Sequence, residues 1–468
     1  MATAAKMIGK NIKPEKYKPK NHVRFITAAS LFDGHDAAIN IMRRILQSTG
    51  TEVIHLGHNR SVDEIVNAAI QEDVQGIAIS SYQGGHVEYF KYMIDLLKER
   101  GAAHIKVFGG GGGVIVPEEI AELEQYGVTR IYSPEDGQRM QLQGIIDDML
   151  ERTDVNLSVK DIPDKNTGLN EDYRGLSRLI TALDENTIAD SRLKHLAKEA
   201  QKLSKTPVLG ITGTGGAGKS SLTDELIRRF SLDLKDLKIA IIAIDPSKRK
   251  TGGALLGDRI RMNSLNCPNI YFRSIATRET SGEVPSSLTH IINLCKVSEF
   301  DLVIVETPGI GQGDAGIVTY VDISMYIMTP EFGAASQLEK IDMLDFADLV
   351  VINKFDRKGG QDALRDVRKQ YQRNRELFTT MPEELPVYGT IASKFNDDGV
   401  TALYQGMLAT FKEKGFNNWQ GSFFSPIETK FSSKRTVIIA PERQRYLAEI
   451  SETVRNYHKT SEESQHCS

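Results

Sequence analysis

The feature that most constrains the fold is a regular alternation of short strand patterns and amphipathic helix patterns between residues 23 and 152. Helical sequence follows each of five β-rich runs: HVRFITAAS, TEVIHLG, VQGIAISSY, IKVFGG and VTRIYS. In the first helix, apolar side chains recur at i, i+3, i+4, i+7 and i+8 from Ala38 to Leu46, as on a helix that lies on a sheet. Five such βα units predict an α/β fold, a parallel, doubly wound domain of flavodoxin-like size.

A second α/β pattern begins at Thr206 and fades near residue 415. Its predicted strands are VLGIT, KIAIIAID, DLVIVET, ISMYIM, DLVVINK and PVYGT. The segment between the two patterns has no strand signal and contains charged helix patterns. We therefore predict a basic leader over 1–22, a first domain over 23–152, a helical linker over 153–205, a second domain over 206–418 and a connecting tail over 419–468.

The composition excludes several classes of function. A formal net charge of −4 provides no basic surplus for binding nucleic acid. No apolar run approaches the length of a membrane span, and the leader lacks the apolar core of a secretory signal. The three cysteines, Cys267, Cys295 and Cys467, have no paired spacing, so a reducing cytoplasm is predicted rather than a disulfide framework or a zinc site.

The second domain carries a phosphate-binding motif. The stretch GTGGAGKS fits the pattern G-x-x-x-x-G-K-[ST] and lies between the strand VLGIT and the helix SLTDELIRRF, as the motif requires. Backbone N–H groups of the loop can turn around phosphate oxygens, and the helix N-terminus adds its positive end. The predicted cradle comprises Gly213, Gly215, Gly216, Ala217 and Gly218. Lys219 is predicted to reach the β- and γ-phosphates, and Ser220 to ligate Mg²⁺.

A second motif selects the base. Asn353-Lys354-Phe355-Asp356 follows the apolar strand DLVVI, downstream of the phosphate loop. The carboxylate of Asp356 can accept hydrogen bonds from N1–H and the exocyclic amine of guanine, a donor pair that adenine does not offer. The run TIASKF (390–395) suits a backbone contact to the base. Asn353, Lys354 and Asp356 therefore predict GTP as the nucleotide.

The catalytic segment departs from the usual GTPase pattern. Glu306-Thr307-Pro-Gly309 takes the place of Asp-x-x-Gly, and we predict that Glu306 and Thr307 act at Mg²⁺ while the Gly309 N–H senses the γ-phosphate. Ile310 follows that glycine, where small GTPases carry a water-positioning Gln, and Gln312 is a candidate substitute. We expect slow intrinsic hydrolysis, stimulated by a partner or by the neighbouring domain.

Three further charged residues lie near the expected phosphate end of the second domain. Asp245 ends the strand KIAIIAID, and Asp258 lies in GGALLGDRIRM. Each carboxylate can ligate Mg²⁺ or cap a helix. Arg261 can neutralise phosphate, or it can be an exposed helical arginine.

The first domain has its own candidate site, the turn Asp33-Gly34-His35-Asp36 at the end of the first strand. Open α/β sheets bind ligands at the carboxyl ends of their strands, but three polar groups around a glycine also make an ordinary turn. A phosphoacceptor role for Asp33, as in response regulators, is a third interpretation. It leaves His35 and the five consecutive glycines at 109–113 unexplained.

A family resemblance chooses among these interpretations. GTGGAGKS, AIDPS, TGGALLGDRIRM and ETPGIGQGD together resemble the MeaB-like G-protein chaperones of adenosylcobalamin-dependent acyl-CoA mutases. The first domain resembles the cobalamin-binding domain of those mutases, in which the histidine of D-x-H-x-x-G is the lower cobalt ligand. Asp33 and His35 match that motif, with Ala38 in place of its glycine. The resemblance implies that His35 binds cobalt and that Asp33 accepts its other N–H.

Two more loops fit this resemblance. Ser81 occupies the serine of the family's S-x-L position, with Gln83 in place of leucine. Gly109 and Gly110, in VFGGGGGVIVP, let the backbone approach a flat ring or a nucleotide tail. The displaced dimethylbenzimidazole tail of the cofactor is then expected in a slot beside the sheet.

The order of cobalamin domain, helical linker and G domain resembles the amino-terminal half of the fused isobutyryl-CoA mutase family, in which a (β/α)₈ barrel follows and binds the acyl-CoA. The resemblance implies a GTPase that gates loading and repair of adenosylcobalamin for an isobutyryl-CoA/butyryl-CoA mutase, a homodimer when complete. The tail would lead towards the barrel. Two alternatives stay open: the chain is a separate subunit that docks on a barrel protein, or it is a stand-alone GTP-dependent cobalamin carrier or sensor.

Overall fold

The computed structural model describes residues 17–165, 168–203, 205–248, 250–278, 284–309, 315–333, 335–416, 419–433 and 450–459. Several predictions fall outside these ranges: most of the basic leader, Ile310, Gln312, Cys467 and the tail segments 434–449 and 460–468. In the described part of the chain, no helix is long and apolar enough to cross a membrane.

The elements are numbered in chain order. The first half contains β1 (Arg24–Ser30), α1 (Ala37–Ser48), β2 (Glu52–Arg60), α2 (Val62–Gln71), β3 (Gly76–Ser80), α3 (His86–Glu99), β4 (Lys106–Gly110), α4 (Pro117–Tyr126), β5 (Arg130–Tyr132), α5 (Pro134–Thr153), α6 (Tyr173–Asp184) and α7 (Asp190–Lys202). The second half contains β6 (Val208–Gly213), α8 (Lys219–Asp233), β7 (Ile239–Asp245), β8 (Ala254–Leu256), β9 (Ile270–Ala276), α9 (Leu288–Val297), β10 (Leu302–Glu306), β11 (Ile323–Met328), α10 (Ala335–Leu338), α11 (Met343–Phe346), β12 (Leu349–Asn353), α12 (Gly360–Asn374), β13 (Val387–Thr390) and α13 (Asp398–Glu413).

The first sheet is parallel and has the strand order β5-β4-β3-β1-β2-β8. Its first five strands are the predicted ones, and their order is that of flavodoxin-like domains. Helices α1 and α5 pack on one face of the sheet and α2, α3 and α4 on the other. The prediction of a doubly wound, flavodoxin-like domain is confirmed.

The second sheet is also parallel, with the order β13-β12-β11-β6-β10-β7-β9. The phosphate loop follows β6, the central strand, and opens α8. Helices α8 and α13 cover one face, while α6, α7, α9 and α12 cover the other. The predicted P-loop α/β fold is confirmed.

The helices predicted as a linker pack more closely than that word implies. Leu176, Leu179 and Ile180 of α6 and Leu196 of α7 are buried in the core that covers β7, β9 and β10. Their apolar faces therefore pack against the second sheet. Helices α6 and α7 belong to the core of that sheet rather than to a free connection.

Two strands were not predicted. β9 contains a buried Arg273 and Ser274, which interrupt its apolar pattern. β8 has only three residues, and it pairs with β2 of the first sheet, Glu52 with Ala254 and Ile54 with Leu256. The predicted boundary at residue 206 therefore does not separate the two sheets, because a strand from the second half completes the first sheet.

Candidate functional site

The turn after β1 is organised around one buried carboxylate. Asp33 is 1% exposed and accepts hydrogen bonds from the backbone N–H of His35 at 2.8 Å and of Tyr82 at 2.6 Å. Its Oδ1 also lies 2.9 Å from Nδ1 of His35. Burial opposes ionisation of Asp33, but these donors outweigh it and lower the pKa of the carboxyl group. Asp33 therefore ties the turn to the loop that follows β3.

The imidazole of His35 projects from this turn, with 76% of its side chain exposed. Because the Asp33 carboxylate accepts the proton of Nδ1, the favoured tautomer leaves a lone pair on Nε2. The ring of Tyr82 stands beside it, with the ring centroids 5.6 Å apart. A carboxylate behind an imidazole orients the ring and raises its basicity toward a metal. These residues fit the predicted lower ligand of cobalt.

The loops after β3 and β4 pack tightly beneath this turn. Ser81 is buried, its N–H donates to the Gly110 carbonyl at 2.9 Å, and its hydroxyl accepts from Ser30 at 2.9 Å. A Cβ atom at Gly111 would clash with the Ser81 carbonyl oxygen, whereas one at Gly110 would make ordinary contact. Close packing therefore requires glycine at 111, which the sequence analysis did not single out.

A cavity of about 200 Å³ lies beside the turn, between the sheet and helices α1 and α5. Ala38 and Met42 of α1 line one side, and Phe108 with the glycine loop lines the other. Gly109 also lines it, but a Cβ there would lie 2.5 Å from Ile131 inside the domain's own core. The mostly apolar walls fit an aromatic ring such as the predicted dimethylbenzimidazole.

The phosphate loop after β6 has a backbone that favours glycine at three positions. Gly213, Gly216 and Gly218 have φ values of 152°, 72° and 88°. A Cβ at Gly213 would clash with the carbonyl oxygen of Ile327, and one at Gly309 would lie 2.8 Å from Nζ of Lys219. The loop, Lys219 and Gly309 are therefore in close contact, as predicted for a phosphate cradle with a sensing glycine.

The predicted base-selecting motif is anchored to this loop. Asn353 donates to the carbonyl of Ala217 at 2.8 Å and accepts from the N–H of Ala392 at 3.1 Å. Lys354 donates to the carbonyl of Gly216 at 2.7 Å. Asp356 is exposed. Asn353 and Lys354 therefore join the phosphate and base loops, and Asp356 is the side chain of the motif that stays accessible to a base.

Two of the predicted magnesium residues, Asp258 and Glu306, meet at a third, Ser220. Its Oγ lies 2.8 Å from Asp258 Oδ1 and 2.8 Å from Glu306 Oε1, although one hydroxyl proton can serve only one of them. Burial and then the nearby Asp258 raise the pKa of Glu306 to about 7. Burial, followed by Asp258 and Glu306, also raises the pKa of Asp245. A divalent cation would relieve this crowding of carboxylates.

The described residues include no group of three or more His, Cys, Asp or Glu side chains set to hold a metal ion. A nucleotide-dependent Mg²⁺ site needs no such group, since phosphates and water supply most of its ligands.

Three polar atoms at this edge of the sheet are buried and have no hydrogen-bond partner in the described part of the chain: Thr214 Oγ1, Asp245 Oδ2 and Thr307 Oγ1. Buried polar groups normally find partners, so these atoms fit contacts to a bound phosphate, cation or water. Thr214 was not predicted because it occupies an unspecified position of the loop motif. Arg261 is exposed, and its contact with phosphate stays a prediction.

Thr223 is a further residue that the sequence analysis missed. Its hydroxyl lies 3.1 Å from Glu306 Oε2 and 3.0 Å from the carbonyl of Lys219. It stands one helical turn after Lys219 in α8, and a buried hydroxyl at that spacing was the available signal.

Comparisons with known proteins match both parts of the chain. Residues 176–415 match the family model of the methylmalonyl-CoA mutase-associated GTPase MeaB, and residues 23–137 match that of the B12-binding domain. The chain is 66% identical over 442 residues to the fused isobutyryl-CoA mutase of Cupriavidus metallidurans, covering 94% of this chain and 40% of that protein. It is 58% identical over 454 residues to the fused isobutyryl-CoA mutase of Geobacillus kaustophilus, covering 96% and 41%.

A shorter relative matches a little over half of the chain. The chain is 30% identical over 271 residues to a putative GTPase of Pyrococcus horikoshii, covering 58% of this chain and 82% of that protein. The chain thus spans about two fifths of the length of the fused mutases that it matches.

Proposed function

The chain belongs to the MeaB family of mutase-associated GTPases and carries a B12-binding domain, and on this basis we propose that it is the cofactor-handling part of an acyl-CoA carbon-skeleton mutase. The proposed substrate of the complete enzyme is isobutyryl-CoA or butyryl-CoA, bound by a barrel in the same chain or in a partner. The complete enzyme is proposed to be a homodimer in the cytoplasm. High identity to fused isobutyryl-CoA mutases supports this assignment.

The first domain is proposed to bind adenosylcobalamin. His35 presents Nε2 to cobalt, and Asp33 holds the proton on Nδ1 and so keeps the ring in the ligating tautomer. Ser81, Gly109 and Gly110 belong to the loops that border the slot for the dimethylbenzimidazole tail. When bound, adenosylcobalamin supplies the radical chemistry. The Asp33–His35 hydrogen bond is the observation that carries this part of the proposal.

The second domain is proposed to bind and hydrolyse GTP with Mg²⁺. Lys219 neutralises the β- and γ-phosphates, and the N–H groups between Gly213 and Gly218 surround them. Ser220, Asp258 and Glu306 hold Mg²⁺, and Asp245 and Thr307 support it directly or through water. Asp356 selects guanine, and Gln312 remains the candidate for positioning the attacking water. GTP binding and hydrolysis gate the loading and repair of the cofactor.

The first test is an absorbance titration of the whole chain with adenosylcobalamin. Wild type is expected to convert the base-on spectrum to the base-off form, because His35 displaces the dimethylbenzimidazole. His35→Ala is expected to lose that shift, while the control His58→Ala, an exposed histidine of β2, retains it. A shift that persists in His35→Ala would remove this histidine from the cobalt site.

The coupling is tested by repeating the titration with GTP or GDP present. An affinity for adenosylcobalamin that depends on the nucleotide in wild type, and not in Lys219→Ala, would support gating. Equal affinities with GTP, with GDP and without nucleotide would contradict it.

A further inference from the structure

The part of the second domain that carries Asp258 is also built into the first domain. We name residues 254–260 the bridging segment. It begins with β8, paired to β2 at Glu52, Val53 and Ile54. It ends with Ile260, whose Cδ1 would lie 2.9 Å from a Cβ placed on Gly57 of β2. The bridging segment is therefore held against β2 at both of its ends.

The first domain binds this segment through the side chain of Arg259. It is 8% exposed, and its Nη2 donates to Oε1 of Gln71 at 2.7 Å. Its Nη1 lies 3.5 Å from Oε1 of Glu72 and donates to the carbonyl of Phe272 at 3.2 Å. The guanidinium also lies over the ring of Phe272, 5.3 Å from its centroid. Arg259 is thus fixed from both domains at once.

Glu72, at the end of α2, is itself rigidly held. It is fully buried, and Arg24 donates to its Oε2 at 2.8 Å. The backbone N–H of Ser274 donates to Oε2 at 3.0 Å, and the Ser274 hydroxyl donates to Oε1 at 3.0 Å. A carboxylate with this many fixed donors cannot follow Arg259 if the arginine moves, so it defines where Arg259 stays.

Asp258 precedes Arg259 directly and faces the other site. Its carboxylate lies 2.8 Å from the hydroxyl of Ser220 in the phosphate loop. The N–H of Gly257, in the same segment, lies close enough to Asp245 to favour its charged form. One short piece of backbone therefore supplies one carboxylate to the proposed magnesium site, contacts a second there and places one guanidinium against Gln71 and Glu72 of the first domain.

We propose that Glu72 and Gln71 of the first domain are positioning residues for the magnesium site of the second, acting through Arg259 to hold Asp258 beside Ser220. This inference rests on the proposed GTPase function and deepens it. A ligand carboxylate that is already held in place needs no ordering when the cation binds, which strengthens binding. By linkage, binding of Mg²⁺ with a nucleotide strengthens the contact between the domains to the same degree.

The experiment measures the Mg²⁺ dependence of binding of a fluorescent GDP analogue to the full chain. For Glu72→Gln and Gln71→Met, the half-saturating Mg²⁺ concentration is expected to rise by about tenfold, the effect usual for residues that orient metal ligands. Affinity for the nucleotide in EDTA is expected to stay as in wild type, because neither residue contacts the phosphate loop. Gln71→Met leaves the ion pairs of Glu72 in place and so provides the measurement even if Glu72→Gln does not fold.

Asp73→Asn is the matched control. Asp73 is the next residue along the chain and forms a buried ion pair with Arg178 at 3.0 Å, but it does not bind Arg259. This variant is expected to lose stability without a change in its Mg²⁺ dependence. If the half-saturating Mg²⁺ concentration of Gln71→Met rises no more than that of Asp73→Asn, this inference is overturned while the proposed GTPase function stands. Absence of nucleotide binding by wild type would overturn the proposed GTPase together with it.

Discussion

Two carboxyl groups show how residue-scale contacts set the chemistry of each site. Asp33 is buried, yet the N–H groups of Tyr82 and His35 stabilise its charge, and its pKa is lowered. Glu306 is buried beside Asp258, and its pKa rises to about 7. Asp33 therefore stays a charged acceptor for an imidazole, whereas Glu306 is poised to exchange a proton for a cation.

Replacement of Asp33 by Asn tests the role of that charge. The amide oxygen can still accept the Nδ1 proton of His35, but the negative charge behind the ring is lost, and the amide NH₂ group faces the N–H of Tyr82, which donates to Asp33 in wild type. We expect affinity for adenosylcobalamin to fall by about tenfold, with the spectral shift retained at saturation. Absorbance titration beside wild type and His35→Ala measures this, and an unchanged affinity in Asp33→Asn would contradict it.

The pH dependence of stability has a clear contributor in Glu52. It is fully buried and lies 2.8 Å from Arg24 and 2.9 Å from Arg278. Burial opposes its ionisation, but the two guanidinium groups prevail and lower its pKa from 4.5 to about 2. The unfolded chain therefore binds the proton more tightly, so the stabilisation is complete above about pH 4.5 and is lost as the pH falls toward 2.

Glu52→Gln is expected to lower the free energy of unfolding by about 3 kcal/mol at neutral pH, the scale of this pKa difference. The difference in the free energy of unfolding between wild type and Glu52→Gln should narrow as the pH falls below about 4.5, because wild type then loses the same contribution. Urea unfolding at several pH values measures it. The control Glu122→Gln removes an exposed partner of Lys91 and should change little. A difference in the free energy of unfolding that does not change with pH would contradict the assigned role of the Glu52 charge.

At the scale of elements, β2 connects the two sites. Its pairing with β1 has register shifts around Ala28, and Gly57 adopts a φ of 83° there. Its last residues reach the turn of the first site, where the side chain of Asn59 accepts from the N–H of Phe32 at 2.8 Å. The same strand pairs with β8 at its start. The irregularity at Gly57 lies between these two contacts along the strand.

Gly57→Ala is expected to reduce stability by about 1–3 kcal/mol, because a side chain is strained at this φ and its Cβ would press on Ile260. Adding Ile260→Val removes the Cδ1 atom in contact. It should restore the stability lost to that contact but not the stability lost to backbone strain. Urea unfolding of the single and double variants measures both parts. Gly84→Ala has open space around its new Cβ and should behave as wild type. Equal stabilities of Gly57→Ala and Gly84→Ala would show that β2 tolerates a side chain there.

At the scale of the whole molecule, the two halves are joined by buried ion pairs. Here α6 and α7 are counted with the second half, because they share the core of the second sheet. Across the halves, Arg278 bonds Glu52, Arg259 approaches Glu72 and Arg178 of α6 bonds Asp73. Breaking one member of such a pair leaves a buried, uncompensated charge, which is strongly destabilising. The stability of each half therefore depends on the charged partners that the other half supplies.

Separating the halves should affect them unequally. A fragment of residues 17–165 loses β8, which leaves the edge of β2 unpaired. It also loses Arg278 beside Glu52 and Arg259 beside Glu72, so Arg24 alone remains between the two carboxylates, and we expect the fragment to be unstable and to aggregate. A fragment of residues 168–433 keeps every strand of the second sheet and should fold and bind GDP. Size-exclusion chromatography and urea unfolding distinguish them. A monomeric, cooperatively unfolding 17–165 fragment would contradict this dependence.

Much of the fold could be predicted because its signals are local. The alternation of apolar runs predicted the first five strands of the first sheet, and the loop motif predicted the turn from β6 into α8. β8 and β9 escaped prediction for different reasons. Three residues are too few to show a period, and the buried Arg273 in β9 looks like a surface residue until its partners in α2 and α6 are known.

The sequence by itself determined which residues can form each local geometry: glycines where φ is positive, a carboxylate two residues before an imidazole, and a lysine and serine at the start of a helix. Only the tertiary structure decided which of these meet. Ser220, Asp258 and Glu306 come from three separate segments, and Arg259 finds its acceptors in another domain. Such contacts depend on how buried charges are satisfied across the whole molecule, and no short stretch of chain contains that information.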